Sequence, residues 1–140
     1  MIHRLSVRVY WEDTDAGGIV YHSNYLNFAE RARTEMVRGA GLQQSELAAG
    51  GTGQAFAVRR VEIDFQHPAR LDDLLTICTQ VTDLGGASMT LNQWIERQDG
   101  VLLARLVVKL AFIGLQDGKP ARIPAELKAA LRGLLEERVL

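Results

Sequence analysis

Apolar and polar positions divide the chain into a first strand, a long helix and a series of later strands. Apolar and polar residues alternate between Ser6 and Trp11, which predicts the first strand. The segment from Glu12 to Gly18 then contains three acidic residues and two glycines, a composition that is typical of a loop. A loop is therefore expected to separate this strand from the helix.

The helix is predicted by apolar residues that recur at steps of three and four. These residues are Leu26, Ala29, Ala32, Met36, Val37 and Ala40. Glu30, Arg31 and Arg33 lie mostly off this stripe and are expected on a solvated or interface face. Ser23 or Asn24, both common capping residues, is expected to start the helix, and Gly39 or Gly41 to end it. A helix of about 17 residues is roughly 25 Å long, enough to lie across a whole sheet.

Four later segments have the pattern of strands. They are Ala55–Gln66, Leu74–Leu84, Ala87–Gln98 and Val101–Leu115. Gly85–Gly86 and Asp99–Gly100 have the composition of hairpin turns between the last three. The fourth segment is apolar at many positions on both faces, which predicts a strand that is central to the sheet or covered on both sides. A short helix is expected over Gln43–Ala49, and a C-terminal helix at Pro124.

One long helix and five antiparallel strands predict an α+β fold in a single domain over residues 1–140. The apolar fraction of 47% and the charged fraction of 24% are ordinary for such a domain. The helix is expected to pack in the concave face of the sheet. Because one helix cannot cover both faces of five strands, we expect a homodimer, or a homotetramer built as a dimer of dimers.

The charge and the cysteine content exclude several classes of protein. A net charge of -1 gives no electrostatic reason to expect nucleic acid as a partner. The most apolar stretch is interrupted by Arg105 and Lys109, so no membrane span is expected. Cys78 is the only cysteine, and the N-terminus does not have the pattern of a signal peptide. These features favour a cytoplasmic location.

The segment Glu12–Tyr25, with the sequence EDTDAGGIVYHSNY, resembles the signature of the 4-hydroxybenzoyl-CoA thioesterase family. The similarity is greatest to its Tol–Pal-associated, YbgC-like branch. Glu30–Met36 and Pro68–Asp73 continue the resemblance, which covers essentially the whole chain. It implies a hotdog fold, in which the sheet wraps the long helix. It also implies hydrolysis of an acyl thioester, carried by CoA or by acyl carrier protein, without a cofactor.

Within this segment, Asp15 is the candidate catalytic residue. It lies in the loop before the predicted helix start, where backbone N–H groups have no partner within the helix and can bind an oxyanion. The resemblance implies that the amide of His22 is the donor, and that Asp15 is either a general base or a nucleophile. Gly17 and Gly18 allow a tight turn and leave room for substrate. The alternative is that Asp15 only caps a turn.

Other candidate residues surround the loop or carry charge. The His22 side chain is expected to orient water or the thioester, and Trp11 and Tyr21 to line the pocket. The branch usually has tyrosine near position 11, so the tryptophan removes a hydroxyl there. Arg59 and Arg60 interrupt an apolar strand pattern and are candidates for contacts to the phosphates of CoA.

The sequence also excludes other sites. His3, His22 and His67 are far apart in sequence, so no metal site is predicted. The chain has no phosphate loop, no dinucleotide-binding glycines and no Gly-x-Ser-x-Gly motif. Two alternatives stay open: a thioester hydratase or dehydratase that uses His22 and Glu30, and a scaffold that binds thioesters or envelope partners without turnover.

Overall fold

The computed structural model describes residues 1–41 and 53–135, so the helix predicted over Gln43–Ala49 lies outside the described residues. In chain order, the described elements are β1 (His3–Arg8), a 3-10 turn (Trp11–Asp13), α1 (Asn24–Gly39), β2 (Gln54–Phe65), β3 (Leu74–Leu84), β4 (Ser88–Arg97), β5 (Leu102–Gly114) and α2 (Ala125–Arg132).

The five strands form one antiparallel sheet in the order β1-β3-β4-β5-β2. The predicted turns at Gly85–Gly86 and Asp99–Gly100 are confirmed, because they join β3 to β4 and β4 to β5. In the second turn Arg97 donates to the Asp99 carboxylate, and this hydrogen bond lowers the pKa of Asp99 to about 2. β5 lies inside the sheet, as predicted, but it is not covered on both sides, since Arg105, Val107 and Lys109 are exposed.

The long helix packs on one face of this sheet, so the predicted α+β hotdog architecture is confirmed. Phe28, Ala29 and Ala32 are fully buried, together with Met36 and Val37 further along. They meet the inward side chains of the strands, which include Leu75, Ile77, Leu91, Ile95, Leu106 and Val108. The sheet therefore determines which side of α1 is buried, and the loop that contains Asp15 lies just before the start of that helix.

Three predictions about individual positions are wrong. Leu26 is 39% exposed, because the buried face is centred on Phe28 and Ala32 and Leu26 lies beside it. The first strand is His3–Arg8 and not Ser6–Trp11, because pairing with β3 ends at Arg8 and the chain then turns. Arg33, expected on a solvated or interface face of the helix, is buried.

α2 packs its buried residues Leu127 and Leu131 into the same apolar core. Neither α1 nor α2 is long and apolar enough to cross a membrane, and no other helix of the described residues is. β1 and β2 form the two edges of the sheet, and β2 is the longer of them. The backbone of β2 therefore offers an extended edge for pairing with another strand.

Candidate active site

The loop before α1 is a short hairpin that presents Asp15 at the surface. Thr14 and Val20 form an antiparallel bridge, and the amide of Asp15 donates to the Ile19 carbonyl at 2.9 Å. The amide of Gly18 donates back to the Asp15 carbonyl at 3.0 Å. Gly18 has φ of +79°, a conformation that glycine adopts without strain, so the turn requires glycine here.

The Asp15 carboxylate is held by one of its two oxygens. Oδ1 accepts the backbone N–H of Gly17 at 2.8 Å, so Asp15 does cap its own turn. No donor contacts Oδ2 within residues 1–41 and 53–135, and the side chain is exposed. Capping and chemistry are therefore compatible, because the first oxygen orients the carboxylate while the second remains available.

The space around this carboxylate also favours glycine at position 17. A Cβ atom placed on Gly17 would lie 3.1 Å from Asp15 Oδ1, closer than ordinary van der Waals contact. A larger residue would have to displace the carboxylate. Both glycines that the sequence identified beside Asp15 thus have a structural role: Gly18 adopts a positive φ, and Gly17 leaves space for the Asp15 carboxylate.

Asp13 fixes the loop to the start of the helix. Its carboxylate accepts the amide of Tyr10 at 2.8 Å, and its carbonyl accepts the amide of Tyr21 at 2.9 Å. The side-chain amide of Asn24, in the first turn of α1, donates to the same carbonyl at 2.9 Å. Asp13 therefore has a structural role in this loop.

A second connection joins the loop and the helix through Ala69, which lies between β2 and β3. The amide of Val20 donates to the Ala69 carbonyl at 2.9 Å, and the amide of Ala69 donates to the hydroxyl of Tyr25 at 3.0 Å. Tyr25 is 3% exposed, and its burial raises the pKa of the phenol. Loop and helix are therefore both tied to one residue, a role that the sequence did not reveal for Tyr25.

Replacing Tyr25 with Phe removes the acceptor of this hydrogen bond. The Ala69 amide is fully buried, so we expect a loss of about 1–3 kcal/mol in the free energy of unfolding, the usual cost of an unsatisfied buried donor. Denaturant unfolding measures it. Tyr21→Phe is the control, because Tyr21 is exposed. Equal stability of the two variants would contradict the assigned bond.

A backbone donor just before α1 is unused. The amide of Asn24 donates to the Tyr21 carbonyl at 2.8 Å, and that of Leu26 to the Ser23 carbonyl at 3.1 Å. The amide of His22 donates to no acceptor in the described part of the chain. An unpaired N–H at the positive end of a helix dipole is suited to an anionic oxygen.

Aromatic side chains border this helix start. The His22 ring lies 4.6 Å from the ring of Tyr21 and 6.4 Å, edge to face, from that of Phe65. Phe65 also contacts Tyr25, at 5.5 Å between ring centroids. Phe65 is half exposed at the end of β2, and only its place in an alternating strand pattern marked it in the sequence. The structure thus brings His22 and Tyr21 together beside Asp15's loop.

The remaining candidates divide into two groups. Trp11 is 78% exposed, and its carbonyl accepts the hydroxyl of Thr14 at 2.8 Å, so it belongs to the same loop. Arg59 and Arg60 instead lie in the middle of β2, where the strand register shifts. Arg60 pairs with Glu62 at 2.5 Å on the face opposite α1. One chain by itself does not bring these arginines to Asp15.

The described residues contain no group of three or more His, Cys, Asp or Glu side chains placed to hold a metal ion. The chemical groups of the site are therefore a carboxylate, an imidazole and backbone amides at a helix start.

Comparisons with known proteins connect this geometry to a family. Residues 9–131 match the family model of the thioesterase-like superfamily. The chain is 44% identical to the acyl-CoA thioesterase YbgC of Haemophilus influenzae over 128 residues, which are 91% of this chain and 93% of that protein. It is 40% identical to the acyl-CoA thioester hydrolase YbgC of Escherichia coli, over 94% of this chain and 96% of that one.

A solved structure supports the same relationship. The crystal structure of a probable thioesterase from Bartonella henselae superposes with a TM-score of 0.83 at 41% sequence identity, and the match covers 89% of this chain and 100% of that one. Sequence and fold agree over nearly the full length. The chain belongs to the thioesterase-like superfamily of hotdog proteins, and the YbgC acyl-CoA thioesterases are among its homologues.

Proposed function

We propose that this protein hydrolyses acyl-CoA thioesters to a free carboxylic acid and CoA. One observation carries the proposal. Within the described residues, the Asp15 carboxylate has one oxygen without a donor, the backbone N–H of His22 has no acceptor, and both groups lie just before the start of the same helix. The names of the homologous YbgC proteins support the reaction class.

In this reaction the thioester carbonyl oxygen accepts the His22 N–H, which stabilises the negative charge that develops there. In one route Asp15 removes a proton from water, the water oxygen attacks the carbonyl carbon, and the thiolate leaves and is protonated. In the other route the Asp15 carboxylate attacks the carbonyl carbon, the C–S bond breaks, the thiolate leaves and is protonated, and water then hydrolyses the resulting anhydride. The His22 side chain orients the water or the thioester, and neither route needs a cofactor.

Isotope labelling tests for the anhydride route. A single turnover in water enriched in oxygen-18 places the label in the Asp15 carboxylate only if the anhydride forms and water attacks its aspartyl carbon. Label in the released acid alone excludes that attack and fits direct attack by water or hydrolysis of the anhydride at the acyl carbon. Mass spectrometry of the peptide that contains Asp15 and of the product acid measures both.

We further propose that the active form is a homodimer, alone or within a dimer of dimers, with the site at the subunit boundary. The loop residues are exposed in one chain, and the free edge of β2 ends at Phe65, beside His22. Antiparallel pairing of two such edges would enclose the loop and place Arg59 and Arg60 along the shared boundary, where the phosphates of CoA can reach them.

The assembly has its own test. Light scattering is expected to give at least twice the chain mass of 15.5 kDa at micromolar concentration. Val58→Asp places a charge on β2, at a half-exposed position, and is expected to shift the protein toward monomer and to lower turnover. Val107→Asp, on the outer face of β5, is the control for the dimer. A wild-type monomer would contradict the proposal.

Gly17→Ala tests the placement of the carboxylate. The added Cβ displaces Asp15 Oδ1, and because misplacement by 1 Å costs about 100-fold, a shift of a few tenths of an ångström is expected to lower kcat by roughly 10-fold. Gly39→Ala is the matched control, since no atom of residues 1–41 or 53–135 lies within 4 Å of a Cβ there. Equal kcat for both variants would show that the carboxylate position is not critical.

Thiol release from short, long and aromatic acyl-CoAs tests the function itself. Release by the wild type identifies the acyl class. If no CoA ester is hydrolysed, acyl carrier protein thioesters are tested next. Failure of both carriers would favour a scaffold that binds thioesters without turnover.

A further inference from the structure

A chain of buried polar side chains crosses the boundary between α1 and the sheet. Arg33 on the helix donates to the Gln93 side-chain oxygen at 2.9 Å. The side-chain nitrogen of Gln93 donates to Thr79 Oγ1 at 2.9 Å and to the backbone carbonyl of Ala29 at 3.0 Å. Arg33 is 8% exposed, Gln93 is 1% exposed and Thr79 is fully buried.

Burying these polar groups reduces the free energy of unfolding unless they are hydrogen-bonded, so their presence in the core needs a physical reason. The partner found for the buried guanidinium is a neutral amide, and burial lowers the pKa of Arg33. A half-satisfied polar network is worse for stability than an apolar core of the same shape, whereas a satisfied one gives a unique geometry. Both side-chain N–H groups of Gln93 and its oxygen are used, so Gln93 is the fully satisfied centre of this network.

The network adds directional contacts to the apolar packing of α1. Ala29 and Ala32, at this point of the helix, are small and fully buried, and the larger side chains of Phe28 and Met36 pack beside them. Apolar contact is non-directional, so packing alone holds a backbone atom less strictly than a hydrogen bond does. The bond from Gln93 to the Ala29 carbonyl is directional, and it connects α1 to β4, near the middle of the sheet.

We propose that Gln93 is a positioning residue for the thioesterase reaction, through its bond to Ala29, and this inference rests on the proposed function. Ala29 lies one turn after Tyr25, which is tied to Ala69. The two anchors hold α1 to two separate parts of the fold, β4 and the connection between β2 and β3. Together they set where the N–H of His22 lies relative to the Asp15 carboxylate.

Three variants separate positioning from stability. Gln93→Leu removes the whole network. Gln93→Glu keeps an acceptor for Arg33 but loses the donor to Ala29. Thr79→Val keeps the hydrogen bond from the Gln93 side-chain nitrogen to the Ala29 carbonyl and removes the bond from that nitrogen to Thr79 Oγ1. Because a displacement of a few tenths of an ångström is expected, both Gln93 variants should lower kcat by roughly 10-fold with KM within about twofold of wild type.

Thr79→Val is expected to lower the Tm but to leave kcat within about twofold of wild type. Activities are normalised to the folded fraction at the assay temperature. If both Gln93 variants retain wild-type kcat, or if Thr79→Val lowers kcat as much as they do, the positioning role is overturned.

A second readout does not depend on turnover. The amide of His22 is followed by nitrogen-15 NMR in the three variants. A changed His22 amide shift in both Gln93 variants, with little change in Thr79→Val, supports the positioning role even if no thioester is hydrolysed. An unchanged His22 amide in the Gln93 variants overturns it. If the wild type hydrolyses no thioester, that result rejects the proposed function and leaves the positioning role to the NMR measurement.

Discussion

Asp15→Asn is expected to lower the turnover of acyl-CoA at least about 100-fold, the lower range for a positioned acid–base group. Asparagine has the shape of aspartate, and its side-chain oxygen can still accept the N–H of Gly17. The loop should therefore keep its conformation. The neutral amide can neither remove a proton from water nor attack the thioester, so the loss should appear in kcat with little change in KM.

Thiol release from the preferred acyl-CoA measures this effect. Asp13→Asn is the matched control, because it changes a carboxylate two residues away whose contact, the Tyr10 amide, an asparagine oxygen can still accept. We expect that variant to keep activity within a few-fold of wild type. Turnover of Asp15→Asn within a factor of a few of wild type would remove Asp15 from the mechanism.

Phe28→Ala is expected to have the largest effect on stability, about 3–5 kcal/mol in the free energy of unfolding. Phe28 is fully buried and lies edge to face on Tyr25, at 6.4 Å between ring centroids. Its loss leaves a cavity between α1 and the sheet, in a region where the backbone of the helix is also held by hydrogen bonds and cannot easily collapse inward.

Chemical denaturation of the two variants Phe28→Ala and Leu26→Ala measures this difference. Leu26 is on the same helix but 39% exposed, so its truncation should cost much less. If the two variants were equally destabilised, the buried face of α1 assigned here would be wrong.

The fold was largely predictable because it rests on local patterns. Steps of three and four residues marked α1, and alternation with glycine turns marked β3, β4 and β5. The errors occurred where tertiary context overrides such patterns. Trp11 has strong strand propensity, but the carboxylate of Asp13 accepts the Tyr10 amide and turns the chain before it. Arg33 is buried because Gln93, 60 residues away, supplies an acceptor.

The candidate site was predictable to a smaller extent. The loop around Asp15 was found because its residues are consecutive and resemble a family signature. The residues that hold it were not found, since their partners are distant in sequence. Tyr25 bonds to Ala69 across 44 residues, and Gln93 bonds to Ala29 across 64. Nothing in the sequence near either residue indicates such a partner.

The strand order has a consequence for the synthesis of the protein. β2 pairs with β5 along its length, from Gln54 with Gly114 to Phe65 with Ala104. During translation from the N-terminus, β2 therefore emerges well before the strand that it pairs with, and contacts of such wide sequence separation form slowly. Phe65, which borders the ring of His22, is placed by the end of that pairing. The nascent chain is therefore expected to assemble the candidate site only after most of the protein has left the ribosome.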